Sequence, residues 1–228
     1  VHSGETWSPC AHPLGNSDHK GEVVFAEDRA QFIHHHDRLT TTLEVLVSGE
    51  ADGEVRRISL NNRGRSTRCI ELTSYAEVVL TTPETDRAHP AFSKLFVVTE
   101  FLAELGALIA TRRPRTPEDS EIWAAHFIIV EEQLAGTLQY ESDRARFIGQ
   151  GRTLASAHAL QRDVALSNTT GTVLDPIFSL LQQVQVLPGS STKVAFWTLV
   201  ASSRQALLDL IDQHHNRHAF QRAKTLAW

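Results

Sequence analysis

Apolar and polar residues alternate with period two from about Val23 to Val200, and this pattern constrains the fold of the chain more than any other feature. Leu43, Val45 and Val47 fall on one face of a strand, with Thr42 and Glu44 on the other. Ile58 and Leu60 alternate with Ser59 and Asn61 before a turn at Asn62-Arg63-Gly64, and Ile70 and Leu72 lead into Ser74–Leu80, read as one long strand or two collinear ones. Further strands are predicted over Leu95–Phe101, Ala107–Arg112, Trp123–Val130 and Thr137–Tyr140. A last hairpin is predicted over Phe178–Leu187 and Lys193–Ala201, around Pro188-Gly189-Ser190-Ser191. Short strands joined by Gly, Pro, Asn and Asp turns, with no helical crossovers, specify an all-β fold built as a large antiparallel sandwich. A length of 228 residues suits one large β domain or two small ones.

The breaks in alternation divide the chain. Pro83–Phe92, containing His89-Pro90, reads as a loop, as does Gly149–Gly171. Loops of this length in a compact domain bind something or touch another domain. After Ala201 the period becomes helical: Ser202 and Ser203 can cap a helix with Ala206, Leu207, Leu210 and Ile211 on one face. A second stripe follows at Ala219, Phe220, Ala223, Leu226 and Ala227. The expected organisation is a sandwich over residues 1–201 and a helical linker over 202–228, its apolar stripe having little here to bury against.

Composition excludes several classes. The net charge is −5 and no stretch gathers Lys and Arg into a basic face, which argues against nucleic acid. No apolar run is long enough to span a bilayer, so no membrane contact by this segment is expected. Val1–Pro13 lacks the apolar core of a signal peptide. Cys10 and Cys69 are too few for a disulfide framework, and a reducing, cytoplasmic setting is the simpler reading. With no Met, a strand-like phrase Gly4–Pro9 at one end and a helical pattern reaching Trp228 at the other, both ends read as cut from a longer protein.

Among chemistry-bearing residues, His34 and His36 share a strand face, and His214 and His218 lie one helical turn apart. Neither pair has the accompanying ligands of a zinc site, so both clusters are expected to be solvated surface histidines, with no metal. Paired carboxylates are the machinery of glycosidic chemistry, and Glu77, Asp86, Glu100 and Asp175 are candidates, although spacing alone pairs none of them. No nucleophile motif or phosphate-binding glycine loop is present. Trp7, Trp123 and Trp197 offer stacking faces for sugar rings or serve as sandwich core.

Several phrases, taken in order, carry a resemblance that extends over nearly the whole chain. They are Trp7-Ser8-Pro9, Ile70-Glu71-Leu72-Thr73-Ser74-Tyr75-Ala76-Glu77-Val78-Val79-Leu80, His89-Pro90-Ala91-Phe92-Ser93-Lys94-Leu95-Phe96, Ala107–Pro114, Asp143–Gly149 and Asp175–Leu180. The chain resembles the N-terminal β-supersandwich domain of glycoside hydrolase family 94, the former glycosyltransferase family 36, and in particular the phosphorylase-like region of cyclic β-1,2-glucan synthases. That resemblance implies a galactose-mutarotase-like sandwich followed by a helical linker and an (α/α)6 catalytic barrel. The barrel would carry the general acid while inorganic phosphate, the co-substrate, attacks the anomeric carbon with inversion. No catalytic residue and no cofactor is therefore expected among these residues. The implied role is to brace the chain's own C-terminal barrel, support a homodimer and edge the site of a β-glucan oligosaccharide. His89, Lys94 and Glu100 are the candidates for that edge.

Two rival functions remain open at this point. A free-standing carbohydrate-binding module would depend on Trp123 or His89. An aldose epimerase-like enzyme would need an acid and a base in one cleft, for which His126 and Glu100 are the plausible pair.

Overall fold

The computed structural model describes residues 5–14, 21–114, 116, 119–131 and 134–227, so the expectations for Gly4 and Trp228 lie outside it. The strands are β1 (Gly21–Phe25), β2 (Ala30–His36), β3 (Leu39–Val47), β4 (Gly53–Asn62), β5 (Arg68–Thr73), β6 (Ala76–Glu77), β7 (Val97–Leu102), β8 (Ala107–Arg112), β9 (Trp123–Val130), β10 (Leu134–Asp143), β11 (Pro176–Val186) and β12 (Ser191–Ala201). They form two antiparallel sheets. The large one runs β1-β2-β3-β4-β12-β9-β8-β7; the small one runs β10-β11-β5, with β6 paired to the start of β11. The all-β sandwich read from the alternation is the fold observed.

Alternation places one apolar set between the layers. Leu60, Leu108 and Val194 of the large sheet meet Leu180, Val184 and Val186 of the small one, all fully buried. Each such side chain contributes about 1.5–3 kcal/mol by leaving water. The small sheet's outer face is covered by the segment after β10, where Phe147, Ile148, Ala159 and Leu166 pack on Ile177 and Leu181.

The structure departs from the sequence reading in four places. First, β11 and β12 are not a hairpin. They are adjacent in the chain but sit at the centres of different sheets, each flanked on both sides. The turn between them is held by Asn62 instead: Gly189 N donates to Asn62 O at 2.8 Å and Asn62 N to Ser190 O at 3.0 Å. The fully buried Asn62 side chain also donates to Ser66 O (2.9 Å) and Val186 O (3.0 Å) and accepts from Gly64 N (2.9 Å). Second, the expected loop Pro83–Phe92 contains two short helices, α1 (Pro83–Ala88) and α2 (Pro90–Lys94), each opened by a proline. Pro90 keeps His89 out of the helical region (φ −147°, ψ 68°), which separates the two.

Third, Ser74–Leu80 yields only the two-residue β6, because Ser74 Oγ accepts from Leu180 N at 3.0 Å and interrupts the ladder after β5. Fourth, most of the C-terminal apolar stripe is buried, Leu226 remaining exposed. Helix α4 (Arg204–His214), capped by Ser203 Oγ on Ala206 N at 3.2 Å, and α5 (Ala219–Leu226) lie on the outer face of the large sheet. Leu207, Ile211, Phe220 and Ala223 pack there against Leu46, Val55, Phe127, Trp197 and Leu199.

Candidate functional site

Lys94 is the sequence candidate around which the structure gathers other ionisable groups. Helix α2 holds it through Ser93, which is buried: Ser93 Oγ donates to Thr85 O at 3.3 Å, and Arg112 Nη1 donates to Ser93 O. Lys94 Nζ then donates to Asp175 Oδ1 at 2.7 Å and lies 3.6 Å from Glu77 Oε2. Asp175 immediately precedes β11, and Glu77 ends β6. The remaining partner comes from helix α3 (Arg144–Ile148), whose N-cap Asp143 accepts from Ala145 N at 2.8 Å. Arg144 Nε donates to Glu77 Oε1 (3.1 Å) and to the Tyr75 hydroxyl (3.2 Å), and Nη1 lies 3.5 Å from Asp175 Oδ2. Tyr75 in turn donates to Glu77 Oε1 at 3.1 Å.

The electrostatics follow from this closed set. Burial pushes the Tyr75 phenol up to about 12, with the Glu77 charge adding to the rise. Burial alone would raise Glu77, but the Tyr75 hydrogen bond and the Lys94 and Arg144 charges hold it below the usual carboxylate range. Burial would likewise lower Lys94, and Asp175 and Glu77 outweigh it and raise it. A general acid for glycosidic bonds needs a raised carboxyl pKa. Glu77 is moved the other way, so the network is suited to positioning: two carboxylates and two cations balance and tie α2, β6, α3 and β11 together.

Of the four carboxylates singled out from sequence, Glu77 and Asp175 are thus brought together, around Lys94. Glu100 is not among them. It is exposed on β7 and accepts from Arg204 Nη2 of α4 at 2.9 and 3.1 Å, while its neighbour Thr99 turns the other way to Ser142 of β10. His89 is exposed at the junction of α1 and α2. Tyr75 and Arg144 were missed by sequence reasoning; both lie inside the quoted phrases, but nothing in their spacing signals the contact.

The epimerase pairing of His126 with Glu100 is excluded by register. Glu100 pairs with Ile109 and Ile109 with Ala125, whereas His126 pairs with Leu108 and Leu108 with Phe101. One residue out of step puts the two side chains on opposite faces of the sheet. His126 is buried between the layers, its ring flat between Phe178 and Phe196. The solvated reading of the histidine clusters also fails at His214. That residue is fully buried, its Nδ1 bonded to Leu210 O (2.8 Å) and its ring 4.7 Å from Trp197. His36 pairs with Glu5 at 2.8 Å. Among the described residues no group of three or more His, Cys, Asp or Glu is placed to hold a metal. Neither Cys10 nor Cys69 forms a disulfide among the described residues. No helix among the described residues is long and apolar enough to cross a membrane.

The loop that covers the small sheet leaves α3 through Gly149, at φ 83°. A Cβ there would stand 2.9 Å from His158 Cβ and 3.2 Å from Arg152 Cδ. Gly149→Ala is expected to cost about 2 kcal/mol in urea denaturation, from the unfavourable φ and the clash together.

Two stacked antiparallel sheets, the larger backed by helices, with a balanced ion-pair network beside them, define an all-β supersandwich domain. The chain belongs to the glycosyl hydrolase 94 supersandwich-domain family, whose sequence profile matches residues 1–217. It is 38% identical over 226 residues to the cyclic beta-(1,2)-glucan synthase NdvB of Rhizobium meliloti (strain 1021), covering 99% of this chain and 8% of that protein. The chain therefore spans less than a tenth of this relative's length. Solved structures give shallower likenesses. Heparinase III has a TM-score of 0.46 and 8% identity over 85% of this chain and 23% of its own. A putative kojibiose phosphorylase from human microbiome has a TM-score of 0.47 and 6% identity over 87% of this chain and 22% of its own.

Proposed function

We propose that this supersandwich is a non-catalytic domain of an inverting β-glucan phosphorylase or cyclic β-1,2-glucan synthase. It braces a catalytic barrel, supports dimerisation and edges the site where a β-glucan oligosaccharide and inorganic phosphate react. The observation that carries the reading is the rim of the Lys94 network. Phe92, Leu95 and Leu174 are 47%, 37% and 78% exposed, and they adjoin the Lys94–Asp175 pair in sequence. Apolar side chains around a rigid, charge-balanced centre suit a surface that docks on another domain. His89, exposed between α1 and α2, lies on the same segment, and its exposure supports the assignment of a sugar contact to it. The identity to a glucan synthase supplies the substrate class.

The test is a phosphorolysis and cyclisation assay. The 228-residue chain alone is expected to turn over no glucan. In the complete protein, Phe92→Asp combined with Leu174→Asp is expected to lower activity about ten-fold or more while the sandwich stays folded, as loss of a docking hot spot would. Turnover by the chain alone, or an unaffected double variant, would overturn the proposal.

A further inference from the structure

A second surface lies away from the Lys94 network, where the segment carrying Trp7 faces strand β5 across a cleft of about 180 Å³. One wall is Trp7, and it is fixed in three ways. Its Nε1 donates to Thr41 Oγ1 at 3.2 Å, its ring stacks on His36 with centroids 6.0 Å apart and planes 14° apart, and His36 is bonded to Glu5 at 2.8 Å. Trp7 lines the cleft and His36, stacked on it, does not. Ile58, Leu60, Ile70 and Leu72 add apolar surface to the cleft, and polar groups stand among them. Glu71 and Thr73 come from β5, and Arg162 and Asp163 from the loop over the small sheet. Glu71 is exposed, and its side chain makes no ion pair or hydrogen bond among the described residues. Asp163 stands at φ 61°, an uncommon conformation for a side-chain-bearing residue, and its nearest cation is the adjacent Arg162 at 3.4 Å.

The chemistry of these walls selects a ligand. An indole held rigidly on one side can take the C–H face of a sugar ring. Carboxylates and a hydroxyl on the other side accept and donate the bonds that sugar hydroxyls make. Charge narrows the choice further. Glu5, Glu71 and Asp163 line the cleft against the single guanidinium of Arg162, so phosphate esters and uronic acids are repelled and neutral hydroxyls are accepted. We infer that the cleft between Trp7 and Glu71 binds one unit of a neutral glucan chain, as a holding site for the polymer separate from the edge formed at His89 and Lys94. The choice of glucan rests on the function proposed above; the neutral-sugar assignment rests on the cleft alone.

Calorimetry with linear β-1,2-linked gluco-oligosaccharides tests it. Saturable binding with a Kd of about 1 mM is expected, as for a small, partly open site. Glu71→Gln is expected to weaken binding about ten-fold, the effect of losing one hydrogen bond to a charged acceptor. Trp7→Ala is expected to abolish it. Because Trp7 also packs on the core, hydrogen–deuterium exchange on the unsubstituted protein gives an independent reading: oligosaccharide should slow exchange in the segments Glu5–Pro9 and Gln161–Asp163. No heat at about 10 mM oligosaccharide, equal affinity for a uronic-acid oligosaccharide, or protection confined to other segments would each overturn the site. The result is separable from the docking proposal, since the Phe92/Leu174 double variant leaves this cleft untouched.

Discussion

Phe220→Ala should lower the stability of this protein by about 3–5 kcal/mol, read as a shift of the urea midpoint at unchanged slope. The ring is 2% exposed and packs in the cluster that joins α5 to the large sheet. The ring also packs against charge. The Arg57 guanidinium carbon lies 3.6 Å above the ring centroid, and Arg57 Nε donates to Glu44 at 3.0 Å. Glu44 is itself buried, with Arg29 Nε 3.6 Å away. Removing the ring therefore opens a cavity and admits water beside a buried ion pair, which loses part of its attraction when solvated. If α4 and α5 were a loosely hung connection, the same substitution would cost under about 1 kcal/mol, as surface changes do. That outcome would refute the packing described for the C-terminal helices.

The second large effect is a dependence on pH. His126 Nδ1 is 3.0 Å from Thr198 Oγ1 and Nε2 is 2.8 Å from Ser74 Oγ, a pair of bonds that links the two sheets through a neutral imidazole. Burial, with the Arg56 charge adding to it, pushes the His126 pKa down to about 4. In the unfolded chain the ring takes its proton near the ordinary value of about 6.5. Between those values the unfolded state binds more protons, so the stabilisation is complete above about pH 6.5 and is lost as pH falls towards about 4. Over that window the loss should reach about 3 kcal/mol. His126→Gln, which keeps an amide between the two hydroxyls and removes the titration, should flatten this part of the profile. Parallel profiles for the two proteins would show that His126 is not the group responsible.

How much of this was legible beforehand depends on the range of the interaction. The expected spans Ala107–Arg112 and Trp123–Val130 coincide with β8 and β9 residue for residue, because strand existence is a local pattern. The helix-covered face was also written locally. In β9, Ala124, Ala125, His126 and Phe127 are buried in succession, and in β12 Val194 to Trp197 are. Strands buried at both parities need cover on both faces, and the C-terminal stripe was the available cover. The misread hairpin has a different cause: its turn residues looked correct, but their hydrogen-bond partner, Asn62, lies far upstream. The same holds at the candidate site, where Lys94 and Asp175 meet across 81 positions. His126 and Glu100 looked like partners until the interposed strand β8 fixed their parity.

The placement of β11 and β12 bears on how the chain is made. During synthesis, residues 21–62 can form the meander β1–β4 and residues 97–130 the meander β7–β9, but only β12 joins these into one sheet. Likewise β5 and β10 have no common neighbour until β11 arrives. Both central strands follow in sequence the strands they join, so a nascent chain carries half-sheets with open edges until residues 176–201 have been made. Such edges pair readily with the wrong strand. Chaperone dependence should therefore be concentrated before residue 201 emerges and should fall sharply once the two seams have closed.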